Sequence, residues 1–76
     1  GLASVPIIKT FEISVSAGAT SINFSDSRPA DFLHAICASS RSGGGAVIMQ
    51  LNDIYIYFSS SVPNNAIIQI VYLART

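Results

Sequence analysis

The chain has 76 residues, of which 50% are hydrophobic and 11% are charged, and its four basic residues balance its four acidic residues. A chain of this length forms one small domain that buries about 60% of the surface of its unfolded form, so its core is thin. Zero net charge provides no field to attract nucleic acid or an anionic membrane, and neither is an expected partner. An ordinary soluble domain carries about 25% charged residues, so this chain holds more apolar side chain than one small core can hide.

The cysteine content and the length of the apolar runs exclude further classes of protein. Cys37 is the only cysteine, so no internal disulfide and no multi-cysteine metal knuckle can form. The apolar runs are strand-sized, far below the roughly 18 residues of a membrane span, and Gln69 interrupts the best of them. The chain starts at Gly1 and has no signal-peptide pattern, so we expect a piece of a longer protein in which residues 1–5 are a linker or a cloning remnant.

Two segments after Pro6 alternate between apolar and polar residues, at positions 10–16 and 20–25. Such alternation is typical of strands with one buried and one wet face. Ala17-Gly18 is a turn signal between them, so we expect the two strands to form a hairpin. The residues predicted to face the core are Phe11, Ile13, Val15, Ile22 and Phe24.

Residues 31–40 (DFLHAICASS) fit either of two structures. Ser27 could cap a helix, Pro29 could occupy its first turn and Gly43 could end it. The mostly β-type neighbours favour a strand, which is our prediction, and the helix, giving an α+β fold, remains the alternative. In the strand, one covered face would hold Phe32, His34, Ile36 and Ala38, and the other Leu33, Ala35 and Cys37.

The last third of the chain predicts a three-strand meander. Residues 41–45 should be a mobile loop because consecutive glycines are costly to order. Between Ala46 and Ala74, three apolar runs are separated by Asn52-Asp53 and by residues 59–65. The fold class is therefore all-β, with residues 6–76 forming one small antiparallel β-sandwich or jelly-roll-like domain of about six strands.

Three of these strands, the third, fourth and sixth, are apolar on both faces, whereas a strand of a two-layer sandwich normally has one polar face. Apolar strand faces left open would form a patch larger than soluble monomers usually carry, and they would be prone to aggregate. We therefore expect burial between identical subunits. A helix at 31–40 covering one sheet would be the monomeric alternative.

Catalysis is not expected. His34 lies in an apolar run, where a buried or interface imidazole bonded to backbone is the simpler interpretation, and Cys37 should be a small buried hydrophobe. On a strand, His34 and Cys37 would point to opposite faces, so they form no dyad. Acidic residues are scattered singly, and no catalytic residue, metal site or cofactor is predicted.

Polar loop residues and two tyrosines form the candidate ligand site. Tyrosines beside short polar side chains suit sugar recognition through ring stacking and hydrogen bonds, and loops on a rigid sheet are common binding positions. The simpler alternative is solvated loops with the tyrosines in a subunit interface. The candidate residues are Arg28, Arg41, Ser42, Asn64, Asn65, Tyr55 and Tyr57.

Four segments together resemble a known family: FEISVSAGATSINFS, SSRSGGGA, IYIYF and the terminal AIIQIVYLART. The chain resembles the receptor-binding β-sandwich tips of bacteriophage tail fibres. This resemblance implies a homotrimer at the end of a virion fibre, assembled in the reducing cytoplasm of the bacterial host, with loops that contact a surface polysaccharide or an outer-membrane receptor. It carries over no residue-level role, because such tips vary where they bind.

The leading hypothesis is a non-enzymatic, trimeric recognition tip that binds a bacterial surface glycan. The alternatives are a structural module that trimerises or caps a fibre, and a free-standing extracellular lectin-like or pilin-like subunit. An enzyme is the least favoured of these hypotheses.

Overall fold

A computed structural model describes residues 7–42 and 45–75 and is all-β. Its elements are β1 (Ile7–Val15), β2 (Ser21–Asn23), a 3-10 turn (Ser25–Ser27), β3 (Phe32–Ser42), β4 (Ile48–Leu51), β5 (Tyr55–Phe58) and β6 (Ala66–Ala74). The prediction of about six strands is confirmed. The alternative helix at 31–40 is wrong, because that segment forms most of β3. The predicted linker at 1–5, Pro6, and Gly43-Gly44 of the predicted loop lie outside the described residues.

The strands form two antiparallel three-stranded sheets. The first sheet has the order β1-β6-β3 and the second has the order β2-β5-β4. The residues buried between them form a single core, listed here as Ile13, Val15, Phe24, Phe32, Ile56, Phe58, Val62, Ala66, Ile68, Ile70, Tyr72 and Ala74. The predicted two-layer arrangement is thus confirmed.

The central position of β6 follows from its sequence. Alternate residues from Ala66 to Ala74 are buried in the core, and the residues between them are half-buried on the other face. A strand that is apolar on both faces is most stable where neighbours bond to both of its edges, and β6 pairs with β1 on one side and β3 on the other. The prediction that both faces of the last strand are apolar is confirmed.

The predicted hairpin of the first two strands is wrong. β1 pairs with β6 and β2 pairs with β5, so the two strands lie in different sheets. Gly18 turns the chain with φ +91°, a conformation that glycine adopts without strain, and its N–H donates to Val62 O at 2.7 Å. The inward faces then meet across the core, where the Phe11 and Phe24 rings lie 6.1 Å apart.

The predicted meander is correct only in part. β4 and β5 are antiparallel neighbours, as expected from the Asn52-Asp53 turn between them. After β5 the chain crosses to the first sheet, where β6 is the central strand. A strand with two apolar faces fits the centre of that sheet better than the edge of the second sheet.

Strand β3 does not alternate as predicted, because its register against β6 shifts three times. Shifts lie between Phe32 and His34, between Ala35 and Cys37, and between Ser40 and Ser42. Each bulge adds a residue and resets the face on which the following side chains lie. Phe32, Ala35 and Ala38 consequently contact the core, whereas His34, Ile36 and Cys37 are exposed. Arg41 and Ser42 end this strand, so their assignment to a loop was wrong.

Candidate functional site

The outer face of the second sheet carries a pair of tyrosines. Tyr55 and Tyr57 are two residues apart on the central strand β5, so both side chains lie on one face, while Ile56 between them is fully buried. Their rings are stacked, with centroids 5.6 Å apart and an interplanar angle of 27°. Both are half-buried, which leaves part of each ring open to solvent.

Short polar side chains border these rings on the two neighbouring strands. On β2, Ser21 lies opposite Tyr57 and Asn23 lies opposite Tyr55, and on β4, Gln50 lies opposite Tyr57. Asn23 Oδ1 accepts hydrogen bonds from the N–H and hydroxyl of Ser25, at 2.9 and 2.7 Å, so its amide group is held in place. We call Ser21, Asn23, Gln50, Tyr55 and Tyr57 the tyrosine face. Its two rings were predicted from the sequence, but its amides were not, because only strand pairing places them beside the rings.

The turn between β4 and β5 fixes the start of this face. Asn52 Oδ1 accepts hydrogen bonds from the N–H groups of Ile54 and Tyr55, at 2.8 and 2.7 Å. Such an Asx turn is a common role for asparagine between strands. Tyr55 therefore follows directly from a hydrogen-bonded turn, whose closing bond runs from Asn52 N–H to Tyr55 O at 3.0 Å.

Asp53 in this turn ties the second sheet to the edge of the first. Its Oδ1 accepts the N–H of Ala35 at 2.8 Å, and its Oδ2 lies 2.9 Å from His34 Nδ1. The hydrogen bond from His34, followed by the one from Ala35, lowers the pKa of the Asp53 carboxyl below its ordinary value. Arg28 also contacts the turn, donating to Asp53 O at 2.9 Å with its guanidinium 5.1 Å from the Phe32 ring centroid.

The seven predicted ligand residues fall into two groups. Arg28, Tyr55 and Tyr57 are associated with strand β5 and the turn that precedes it. The others belong to the first sheet or to the segment that leads into β6, where Ser42 and Asn65 border a shallow depression beside Ile67. Asn65 Oδ1 accepts the N–H of Ala17 at 2.9 Å, and Asn64 is exposed.

Arg41 is held by an ion pair with Glu12. Glu12 lies on β1 and Arg41 on β3, so the pair spans β6 across the outer face of the first sheet. The guanidinium is thus already partnered in the folded chain. We therefore centre the candidate site on the tyrosine face.

His34 and Cys37 differ from their predicted environments. Both are exposed, so neither is a buried core residue in the folded chain, and His34 bonds to a carboxylate and not to backbone. His34 lies opposite Leu73 and Cys37 opposite Val71, because the bulge at Ile36 between them puts both residues on the same face instead of opposite faces. Among residues 7–42 and 45–75, no three His, Cys, Asp or Glu side chains are grouped so that they could hold a metal ion.

The outer face of the first sheet has a different chemistry. Its central strand contributes half-buried Ile67, Val71 and Leu73, flanked by Ile8 and Ile36, whose side chains are 58% and 50% exposed. We call these five residues the apolar stripe. It is part of the apolar surface that composition predicts and that one core does not absorb; Val47, Met49 and Ile54, in or beside the second sheet, are exposed as well.

Comparison of the chain with family models, with curated proteins and with solved structures finds no significant match. Within the described part of the chain, no helix is long and apolar enough to cross a membrane. The two outer sheet faces are therefore the features of this chain that bear on its function.

Proposed function

We propose that this chain is the non-enzymatic, host-recognition tip of a phage tail fibre and that it binds a bacterial surface glycan. The observation that carries the proposal is the stacked, half-open pair of Tyr55 and Tyr57 on the outer face of the second sheet. Tyrosine rings offer an apolar surface for the C–H face of a sugar and a hydroxyl at its edge. The resemblance to fibre tips supplies the biological setting.

The neighbours of the rings support a neutral sugar as the ligand. Asn23, Ser21 and Gln50 provide amide and hydroxyl groups that can donate and accept hydrogen bonds beside the rings. No charged side chain lies opposite the two tyrosines in the strand pairing of the described residues. A sugar with unsubstituted hydroxyls fits this chemistry better than a phosphate or a carboxylate.

The apolar stripe supports the proposed homotrimer. It lies on the sheet opposite the tyrosine face, so copies that bury it against one another would leave the tyrosines outward. A trimeric tip would then present three glycan sites, and each weak site would gain from the other two through avidity.

Glycan binding by the assembled protein tests the proposal. On a bacterial glycan array, the wild-type protein should bind, and Tyr55→Ala and Tyr57→Ala should each weaken affinity by about tenfold, which corresponds to about 1.4 kcal/mol. Glu12→Gln, on the other sheet, is the matched control and should bind as the wild type does. Binding to cells that survives periodate oxidation of their glycans would point to a protein receptor and contradict the glycan assignment.

The second candidate function is a structural module that sets the register of a fibre and caps it. The apolar stripe favours it, because a surface that joins copies needs no ligand. In that case, deleting the domain would abolish trimer assembly, while Arg28→Ala, Arg41→Ala and Asn64→Ala would leave host binding unchanged. Loss of cell binding in the tyrosine variants with the assembly intact would decide against the structural role alone.

A further inference from the structure

The register of β4 shifts where this strand borders the tyrosine face. Ile48 lies opposite Phe58. The preceding residue of β5, Tyr57, lies opposite Gln50, so Met49 is an additional residue in β4. Bulges of this kind re-aim a side chain and are over-represented next to active sites. The position opposite Tyr57 is therefore shared by two residues of β4, Met49 and Gln50.

The bulge turns both of these side chains outward. Ile48 and Leu51, which flank them, pack against the core, whereas Met49 and Gln50 are exposed. In a regular strand, two neighbouring residues would lie on opposite faces. Met49 is 67% exposed, more than any other large hydrophobic side chain of the described residues. A thioether and a primary amide consequently lie side by side at the β4 border of the tyrosine face.

The amide group of Gln50 is available to a ligand. Within the described part of the chain, its side chain makes no hydrogen bond. Other amides near the rings are engaged, since Asn23 Oδ1 accepts from Ser25 and Asn52 Oδ1 accepts from the turn before β5. Gln50 therefore offers both an acceptor and a donor beside Tyr57.

The second sheet favours a neutral substituent on the sugar. No residue of β2, β4 or β5 is charged. An ammonium or carboxylate group placed over these strands would lose water without gaining an opposite charge from them. An exposed apolar side chain next to a free amide suits a group that is itself part apolar and part amide.

We propose that the ligand of the tyrosine face is a neutral sugar that carries an acetamido group, and that Met49 and Gln50 bind this group. The inference rests on glycan binding by the tyrosine face and adds the class of sugar. In a planar trans amide, the N–H and the methyl group lie on the same side of the C–N bond. Gln50 Oε1 can accept that N–H while Met49, its neighbour, contacts the methyl.

Other substituents fit the pair of side chains less well. A 6-deoxy sugar offers a methyl group with no N–H beside it. An O-acetyl group offers a methyl and a carbonyl oxygen but no donor for Gln50 Oε1. The acetamido group has both features next to each other, and the ring that carries it keeps its remaining hydroxyls for the other polar groups of the face.

Matched glycosides test the class of sugar. The methyl glycosides of N-acetylglucosamine and N-acetylgalactosamine differ from those of glucose and galactose only in the substituent at C2. In NMR titrations of the assembled protein, at least one N-acetyl glycoside should bind about tenfold more tightly than its parent. Saturation transfer from the protein should be strongest at the acetyl methyl group.

Two results of the titrations would overturn the inference. Equal affinity within both pairs, with binding that Tyr57→Ala weakens, would overturn it while glycan recognition by the tyrosine face stands. Binding of none of the four glycosides would also overturn it, and the glycan array would then decide the proposed function separately.

Variants of the bulge provide the second arm. Met49→Ser removes the apolar contact and should lower the preference for the N-acetyl glycoside to about threefold, whereas Met49→Leu keeps an apolar side chain and should retain it. The exposure of Met49 leaves the core undisturbed in both variants, and circular dichroism verifies the fold. An unchanged preference in Met49→Ser would contradict the role of the bulge.

Gln50→Ala separates the acetamido group from the sugar ring. It should weaken binding of the N-acetyl glycoside and leave the affinity for the parent glycoside unchanged. Tyr57→Ala should instead weaken both, because the ring contacts the part that the two glycosides share. Equal losses for both glycosides in Gln50→Ala would contradict the assignment of this amide.

Discussion

The two sheets of this domain differ in strand length and in the chemistry of their outer faces, although they share one core. In the first sheet, β1, β6 and β3 are 9, 9 and 11 residues long, whereas the strands of the second sheet have 3, 4 and 4 residues. The long strands supply most of the backbone pairing, and their outer face carries the apolar stripe. The short strands present the tyrosine face. In the proposed function, copies assemble through the first sheet and the ligand binds to the second.

The sheets are joined by the core and by Asp53. Phe24, which follows β2 of the second sheet, packs against Phe11 and Phe32 of the first sheet, with ring centroids 6.1 and 6.3 Å apart. Such aromatic contacts add about 0.5 to 1.5 kcal/mol each beyond the burial of their area. Substitutions in the first sheet, at the connection between the sheets and on the surface should destabilise the domain to a degree that decreases in that order.

The largest effect should come from the centre of the first sheet. Ile70 is fully buried on β6, and Ile70→Asp would place an unpaired carboxylate in the core at a cost of several kcal/mol, comparable to the whole stability of so small a domain. We expect no cooperative unfolding transition by circular dichroism at 25 °C. The matched control, Ile70→Val, removes one methylene and should cost about 1 kcal/mol. A folded Ile70→Asp variant would disprove the central role assigned to β6.

A smaller effect is expected where the sheets connect. Asp53→Ala removes the acceptor of the half-buried Ala35 N–H and the partner of His34, which should lower the free energy of unfolding by about 1 to 2 kcal/mol. Asp53→Asn keeps an oxygen that can accept the Ala35 N–H, so its free energy of unfolding should fall by less. Urea unfolding of the three proteins measures the difference. Equal stability of Asp53→Ala and wild type would show that the turn is not held by this carboxylate.

A pH-dependent effect is expected at Asp31, at the start of β3. Lys9 donates to one carboxylate oxygen and Tyr72 Oη to the other at 2.9 Å, which holds the pKa of Asp31 below its ordinary value of 3.8. Folding lowers this pKa. The stabilisation is therefore complete when the pH is above the pKa of Asp31 in the unfolded chain, and it is lost as the pH falls through the pKa in the folded chain.

Urea unfolding midpoints measured at several pH values test this predicted loss of stability in acid. The urea midpoint of the wild type should be higher than that of Asp31→Asn at pH 7, and the difference between the two midpoints should narrow between pH 4 and pH 2. Tyr72→Phe, which removes one donor to the carboxylate, should reduce the same acid dependence. A gap that stays constant across this range would mean that the Asp31 charge does not stabilise the fold.

The smallest effect is expected at the surface ion pair of the first sheet. Glu12→Gln breaks the contact with Arg41, but both side chains are about half exposed and an exposed pair of this kind contributes little. The free energy of unfolding should change by less than about 0.5 kcal/mol in urea. A loss above 1 kcal/mol would mean that the outer face of the first sheet is more rigid than its exposure indicates.

Periodicity in the sequence was sufficient to predict the strands, but not their partners. Alternation at Phe11, Ile13 and Val15 and the two apolar faces of β6 led to the correct fold class, because burial alone determines those patterns. Pairing depends on which apolar faces meet across the core. That is why the apparent hairpin at Ala17-Gly18 is instead a crossing between sheets.

The candidate site was predictable only in its aromatic part. Tyr55 and Tyr57 stand out in the sequence as side chains between buried neighbours, whereas Asn23 and Gln50 reach them through pairing between strands that sequence does not reveal. Cys37 and His34 were misplaced because bulges in β3 leave no pattern that a period of two can detect.

The measurement that tests this account most directly is the solution mass of the wild-type chain by light scattering over a range of concentrations. We expect a concentration-independent trimer, three times the 8.0 kDa chain, because the proposed function buries the apolar stripe of the first sheet against further copies. A monomer at every concentration would contradict it. The apolar stripe would then be ordinary exposed surface, and the division of work between the two sheets would fail.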